Sequence, residues 1–493
     1  MTESEKVSLG DAARGSVLWT AGFHFTRDIV QFGTMLILVR ILSIEEYGVM
    51  ALAQSVVAVI SIMSFTGFIS QALQVRDPHS IDWQSHFYAG VCINSIAVII
   101  TLIIALGLSY TETYRNAALP LAVLTLVFII DIPASIRQKM TQVNHDWIRY
   151  RSLLLIGTLL GSGTALAIAF SGGGVWALVA GPILFGVPAV IDLFFIAKWR
   201  ASWSIDFQAY KEVIRFGALR SAAGLSGRGR NFLENSWITN QYGFELLGLL
   251  NRAQGLVNLT STRIVSMITE SVYPVITRAQ PGSEQFKRYA ALILRTLTWT
   301  IVPLSFLITF LGYLLVMTLY GDKWMKAVEL LLPATLAMSI WAIVSTFYVI
   351  LLANDQVKSS TILDVTSNLL IVGLVIFFVP LGVQTYLWSL FLFGAVWLIF
   401  VVVRCSRLGA VSLPGSASAI FPALVAAAFG ATPVMYMLSP YDPVAAITGA
   451  LTFTILYFAS LRLLFSDQLK ELLNILPFSD VLLRIAFLSS KPT

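Results

Sequence analysis

The chain has 493 residues, of which 57% are hydrophobic and 12% charged, with a formal net charge of +6 and a mean hydropathy of +0.80. That balance excludes an ordinary soluble domain, in which roughly 25% of residues are charged. In so apolar a chain the small basic excess reads as membrane topology rather than nucleic-acid binding.

The N-terminus, "MTESEKVSLGDAARGSV", lacks the basic start, short apolar core and small-residue cleavage site of a signal peptide, so the first span is expected to be retained. A hydrocarbon core of roughly 30 Å takes about 20 apolar residues per helix, whereas a barrel would show short alternating strands. Helical spans are expected near 16–41, 48–73, 85–109, 117–138, 152–170, 175–197, 217–239, 246–274, 291–319, 328–353, 359–380, 383–403, 416–438 and 443–465. The fold class is thus all-α and polytopic, with about 14 transmembrane helices. With a cytoplasmic N-terminus, 22 of the 32 Lys and Arg residues fall in cytoplasmic segments and four in outward ones. This bias supports the span count and places both termini in the cytoplasm. Segments 204–217 and 467–488 combine helical apolar periodicity with a charged face and are expected to lie along the membrane surface. Outward loops reach about a dozen residues at most, too short for the extramembrane domain of a membrane polymerase or ligase, and the chain is read as no enzyme.

"EEYGVMALAQ" (45–54) aligns with "ELLGLLNRAQ" (245–254), with Glu, Gly, Ala and Gln coinciding at an offset of 200. An offset of six spans keeps orientation, so the expected architecture is two six-helix lobes forming a parallel repeat, followed by two extra C-terminal helices. The lobes are 1–197 and 217–403, joined by a cytoplasmic amphipathic linker at 198–216; spans 13 and 14 occupy 404–465, and 466–493 is a cytoplasmic amphipathic tail. Transporters built this way place their central cavity between the lobes near the midplane.

Charges inside spans mark the candidate site. Thr20, His24, Arg27, Asp28, Gln31 and Thr34 form one stripe on the first span. Each central charge facing lipid costs roughly 2.5–3.5 kcal/mol, so the stripe is either a cavity wall or a structural pairing of Asp28 with His24 or Arg27. In "SGRGRNFLEN" (226–235), Arg230 and Glu234 are four apart and able to pair. Arg228 lies about 200° round the helix from Arg230, in line with Asn231, Asn235 and Thr239. It requires an anion from a ligand or another helix, or else backbone carbonyls. On the eighth span Arg252 and Arg263 share a face that Glu270 continues, while the first-half counterparts, Leu52 and Met63, are neutral. Arginine holds phosphate oxygens bidentately and keeps its charge in a membrane, so this wall suits an anion such as a diphosphate. Asp131, Asp192 and Asp364 are read as helix-end charges or as carriers of a coupling proton or sodium ion. No metal-ligand spacing, phosphate-binding loop or nucleophile elbow occurs, so no catalytic residue, metal, cofactor or ATP is expected.

"LVRILSIEEYGVMAL" (38–52), "GFISQALQVRD" (67–77), "GVWALVAG" (174–181), "LGLLNRAQGLVNL" (247–259) with "VYPVITRAQ" (272–280), and "YGDKWMKAVELL" (320–331) resemble Wzx-type polysaccharide exporters. The likeness is to the colanic-acid-exporter branch of the polysaccharide transporter family, within the superfamily that also holds lipid II flippases and multidrug extruders. It implies a flippase of the bacterial inner membrane, working by alternating access around an arginine-lined cavity. The implied substrate is an undecaprenyl-diphosphate-linked repeat unit for exopolysaccharide or O-antigen. The implied partners are that lipid-linked oligosaccharide, membrane lipids, a coupling H+ or Na+, and the polymerase and export machinery, with no nucleic acid. Related flippases meet the diphosphate with arginines on the first, second and eighth spans. Arg27 and either Arg252 or Arg263 match by span; the second span has no interior arginine here, and Arg228 and Arg230 on the seventh are expected to take its share. His24, Asp28, Gln31, Arg230, Asn231, Glu234 and Asn235 are then polar lining or ion-pairing residues. The alternative on the same scaffold is an ion-coupled multidrug-type efflux antiporter, which predicts an acid-lined cavity.

Overall fold

The computed structural model describes residues 3–63, 69, 81–202, 207–437 and 442–473, with side chains described there except at 3–21, 63, 207–223, 259–275, 436 and 437. The block at 67–77 lies outside the described residues apart from 69, as does the tail beyond 473. Among the described residues the regular structure is helical and contains no strand.

The helices sort their residues by bilayer chemistry. In α3 (Trp83–Ser109) the buried face is small and polar, with Ala89, Gly90, Asn94, Ala97, Thr101 and Ala105. The opposite face exposes Ile96, Ile99, Ile103 and Leu106, each more than half accessible. A patch of that size would drive association in water, whereas here it faces acyl chains. With lipid as apolar as the side chains, close backbone approach stabilises the contacts. On α6 (Trp147–Phe170), a Cβ at Gly157 would lie 2.2 Å from the Phe185 carbonyl oxygen of α7 (Trp176–Phe185), and one at Gly161 would lie 2.9 Å from that of Gly181.

Ten helical segments among the described residues are long and apolar enough to cross a membrane. They coincide with expected spans 3–6 and 9–14. Expected spans 1, 2, 7 and 8 fall on α1 (Glu3–Ile41), α2 (Ile44–Ile60) and α9 (Phe207–Ile276), the last broken at Gly243, whose φ of 76° and ψ of −178° are non-helical. Glycine enters that conformation without the steric cost a Cβ imposes. α1 and α9 are the least apolar of the long helices: they carry the charges expected inside spans, and both also take in charged residues outside them, such as Lys6 and Arg14 on α1 and Lys211 and Arg215 on α9.

The chain forms two compact units, Met1–Gly248 and Leu249–Thr493. In the first, α6 packs on α1 and α7, α3 packs on α4 (Arg115–Leu124) and α5 (Leu126–Val143), and α2 packs on α4. The short α8 (Val187–Ile191) continues into a π-helical turn, Asp192–Ile196. This unit ends beyond the 198–216 linker and takes in the first half of α9, which is tied to it by hydrogen bonds such as that from Tyr114 Oη to the Ser236 carbonyl at 3.0 Å.

Two glycines make the 200-residue repeat visible in three dimensions. A Cβ on Gly48 would stand 1.9 Å from the Phe244 carbonyl oxygen, and one on Gly248 would stand 2.2 Å from that of Ile44. Residues 44 and 244, and 48 and 248, are each 200 apart. The contact is therefore reciprocal, the signature of a local two-fold relation.

In the second unit α10 (Glu284–Phe310) is central, followed by the one-turn α11 (Gly312–Leu315). It packs against α12 (Val328–Ala353), α15 (Leu413–Met437) and α16 (Pro443–Leu464); α13 (Val357–Phe378) and α14 (Val383–Arg407) pack on α12. The short α17 (Ser466–Leu473) rests on α10 and α16. Ile301, Phe310, Ala423, Ala427, Phe453 and Tyr457 belong to one buried core, and Trp299 Nε1 donates to the Ala419 carbonyl at 3.0 Å. The last two spans are thus built into that core.

Candidate functional site

The stripe on α1 lies in a helix that leads into α2 through a capping box. The Ser43 N–H donates to Glu46 Oε2 at 2.7 Å and the Glu46 N–H to Ser43 Oγ at 3.2 Å, satisfying two of the N–H groups a helix start leaves open. Along the stripe, His24 and Gln31 are exposed and Arg27 and Asp28 half-buried. Arg27 Nε is buried without a hydrogen-bond partner among the described residues. Thr34 Oγ1 turns back to the Val30 carbonyl at 2.7 Å. The Thr20 side chain lies outside the described residues.

The first half of α9 presents its polar residues to α2. Arg228 Nη1 donates to the Ala58 carbonyl at 3.1 Å and to Ser61 Oγ at 2.8 Å. Ser61 is the C-cap of α2, so the guanidinium supplies a cation and donors where a helix end concentrates unpaired carbonyls and partial negative charge. Arg228 is nonetheless exposed. Arg230 Nη2 donates to its neighbour Asn231 Oδ1 at 2.9 Å, and Glu234 is buried at 7% exposure. Asn235 Nδ2 reaches the Ala51 carbonyl at 3.5 Å, and Thr239 Oγ1 donates to the Asn235 carbonyl at 2.8 Å. Arg27, Arg228, Arg230, Asn231, Glu234 and Asn235 thus belong to one compact unit.

Arg252 belongs to the second unit. It is half-buried, and its Nη2 donates to Asn251 Oδ1 at 2.7 Å. The side chains of Arg263 and Glu270 lie outside the described residues. No group of three or more His, Cys, Asp or Glu able to hold a metal occurs among the described residues.

Asp192, which the sequence marks only as a helix-end charge or a carrier of a coupling ion, is the centre of an ionic cluster. Asp192, 3% exposed, accepts from Arg149 Nη2 at 2.7 Å on Oδ1 and from Arg149 Nε at 3.1 Å on Oδ2. Its second partner is Arg137, through Nε. Buried carboxylates persist where charged donors fill their lone pairs. The three residues sit on α5, on α6 and in the turn after α8, so only the packing of those helices reveals the cluster.

A family model described as "Polysaccharide biosynthesis protein" matches residues 37–329, more than half of the chain. The chain belongs to that family. The match takes in the blocks at 38–52, 174–181 and 247–259 and stops short of the last spans. Over 325 residues the chain is 22% identical to the succinoglycan biosynthesis transport protein ExoT of Rhizobium meliloti (strain 1021), covering 64% of each chain. It therefore spans somewhat less than two thirds of that relative's length. Among solved structures, the lipid II flippase MurJ in an inward closed conformation matches with a TM-score of 0.71 at 13% identity, covering 92% of this chain and 100% of that one. An inward-facing multidrug resistance MATE family transporter matches with a TM-score of 0.53 at 15% identity, covering 78% of this chain and 95% of that one. At such identities the likeness concerns the fold, which this chain shares with those two multi-pass membrane proteins.

Proposed function

We propose that this polysaccharide biosynthesis protein is a flippase that carries undecaprenyl-diphosphate-linked oligosaccharide repeat units from the cytoplasmic to the outer leaflet of a bacterial inner membrane. The observation that carries the proposal is the concentration of arginines on α1 and α9, the least apolar long helices of a chain otherwise written for lipid. An oligosaccharide cannot cross roughly 30 Å of hydrocarbon unaided, because each buried hydroxyl left without a hydrogen bond costs on the order of 2–7 kcal/mol. The carrier has to offer a wet, polar path for the glycan and fixed positive charge for the diphosphate, while the lipid tail stays in the bilayer.

In this reading Arg27, Arg228, Arg252 and Arg263 meet the diphosphate, and His24, Asp28, Gln31, Arg230, Asn231, Glu234 and Asn235 line or support the polar path. The six-span lobes, 1–197 and 217–403, rock about the 198–216 linker, with both termini cytoplasmic. The reciprocal crossing of Gly48 and Gly248 supports a pseudo-two-fold device of this kind. The names of the relatives, a transport protein and a flippase, support transport rather than catalysis. Depletion of the protein in cells that make the glycan is expected to leave the lipid-linked repeat unit accessible only from the cytoplasmic leaflet. Undiminished exposure in the outer leaflet would sink the proposal. Drug resistance conferred by the chain with no change in surface glycan would establish the efflux antiporter instead.

A further inference from the structure

Away from the arginines of α1 and α9, the second unit holds a cavity of about 200 Å³ lined by the first turns of α10 and α15 and by Glu471 of α17. Its charged lining is Lys287, Arg288 and Arg295 with Glu284 and Glu471, joined by Ser412 and Ser418. In the topology expected from the lysine and arginine asymmetry, this end faces the cytoplasm. Arg295 is 7% exposed and ion-pairs through Nη1 with Glu471, while its Nε is buried without a hydrogen-bond partner among the described residues. The Glu471 side chain, by contrast, is 61% exposed. Lys287 pairs with Glu284 at 2.8 Å, and the Glu284 side chain is 85% exposed. Three cations thus converge on a cavity whose carboxylates stand mostly in solvent.

A buried arginine that is neutralised by a solvated carboxylate on a one-armed contact is poised for exchange. A phosphate group suits this lining better than Glu471 does, because it brings more acceptor oxygens and matches both the planar fork of Arg295 and the point charge of Lys287. The α15 N-terminus beside Ser412 adds partial positive charge of the same sign. Leu292 shares the lining, and Phe421 and Leu424 continue an exposed apolar face along α15 toward the membrane interior. A headgroup in the cavity would therefore leave its acyl chains against lipid-facing surface.

We propose that this cavity binds the phosphate headgroup of an anionic phospholipid of the cytoplasmic leaflet, with Glu471 as the internal counter-ion that the lipid displaces. The site is independent of the flippase reading and serves as a lipid anchor for α10, α15 and α17.

The test uses the purified full-length protein in neutral detergent, titrated with phosphatidylglycerol, phosphatidylcholine or inorganic phosphate and read by native mass spectrometry and thermal unfolding. Phosphatidylglycerol is expected to bind in preference to phosphatidylcholine. Lys287→Ala/Arg288→Ala, which leaves the buried Arg295 in place, is expected to weaken that binding roughly 25-fold, at about fivefold per lost surface cation. Glu471→Gln is expected to strengthen it by up to about fivefold, the scale of an exposed ion pair. Stabilisation by inorganic phosphate with the same dependence on Lys287 and Arg288, and no preference among lipids, overturns the lipid assignment in favour of a soluble phosphate ligand. Phosphatidylglycerol binding that survives the double substitution, or that Glu471→Gln leaves unchanged, overturns the site itself.

Discussion

Arg228 and Arg137 put one guanidinium to different uses. Arg228 donates from a single nitrogen to the Ala58 carbonyl in the last turn of α2 and to its C-cap hydroxyl, while its exposure leaves the rest of the fork available to an anion. Helix capping by a cation asks only for positive charge and a donor, which lysine provides; bidentate phosphate binding asks for the planar fork. Arg228→Lys is therefore expected to keep the thermal stability of the purified protein while lowering glycan export at least about tenfold. Arg228→Ala is expected to abolish export and to cost about 1 kcal/mol in stability at unchanged membrane insertion. Full export by the lysine variant would assign Arg228 to the helix end alone. Arg137 has no such freedom: its side chain is 10% exposed and faces the 5% exposed Asp192 carboxylate. Asp192→Asn removes the charge that two arginines share and is expected to cost about 3 kcal/mol, seen as a lower unfolding temperature in detergent. Unaltered unfolding would show that water or lipid headgroups already compensate Arg137.

At the scale of elements, the crossing of α2 with the start of the 244–276 helix is the closest glycine approach among the described residues of the first unit. An alanine methyl at Gly48 or Gly248 would lie 1.9 Å or 2.2 Å from a backbone oxygen, and backbone cannot rotate away as a side chain does. Either Gly→Ala change is expected to force the helices apart at a cost of about 2 kcal/mol or more. The double change is expected to cost less than the sum, because one displacement relieves both clashes. Gly163→Ala, with nothing within 4 Å of the new methyl, is the control and is expected to leave unfolding unchanged or slightly raised. Additive penalties would argue against a shared crossing. This element also marks the boundary of what the sequence discloses. The four identities between 45–54 and 245–254 are legible because a repeat repeats its letters, and apolar run length, a local property, located the ten spans. The partners of Arg228 were not legible, since a carbonyl 170 residues away has no letter of its own. The Arg137–Asp192–Arg149 cluster stayed hidden for a related reason: its members are ordinary interfacial charges until helix packing brings their ends together.

For the molecule as a whole, the proposed substrate has an electrical consequence. A diphosphate diester carries two negative charges outward while the arginines stay with the protein, so the net charge moved belongs to the substrate. With the cytoplasm negative, each charge is driven outward by roughly 2.3 kcal/mol per 100 mV. Two charges give about 4.6 kcal/mol at that potential, enough for an outer-to-inner ratio on the order of 10³ at equilibrium. No ion need travel with the substrate for export to run uphill in concentration. In proteoliposomes holding the lipid-linked substrate, a potassium diffusion potential of the physiological sign is expected to accelerate translocation in the absence of any pH or sodium gradient, and reversal of its sign is expected to slow it. A rate that follows a proton or sodium gradient and ignores the potential would show that a coupling ion neutralises the moving charge. The titratable groups to replace next would then be the acids already inside the spans, with Asp364 on α13 first.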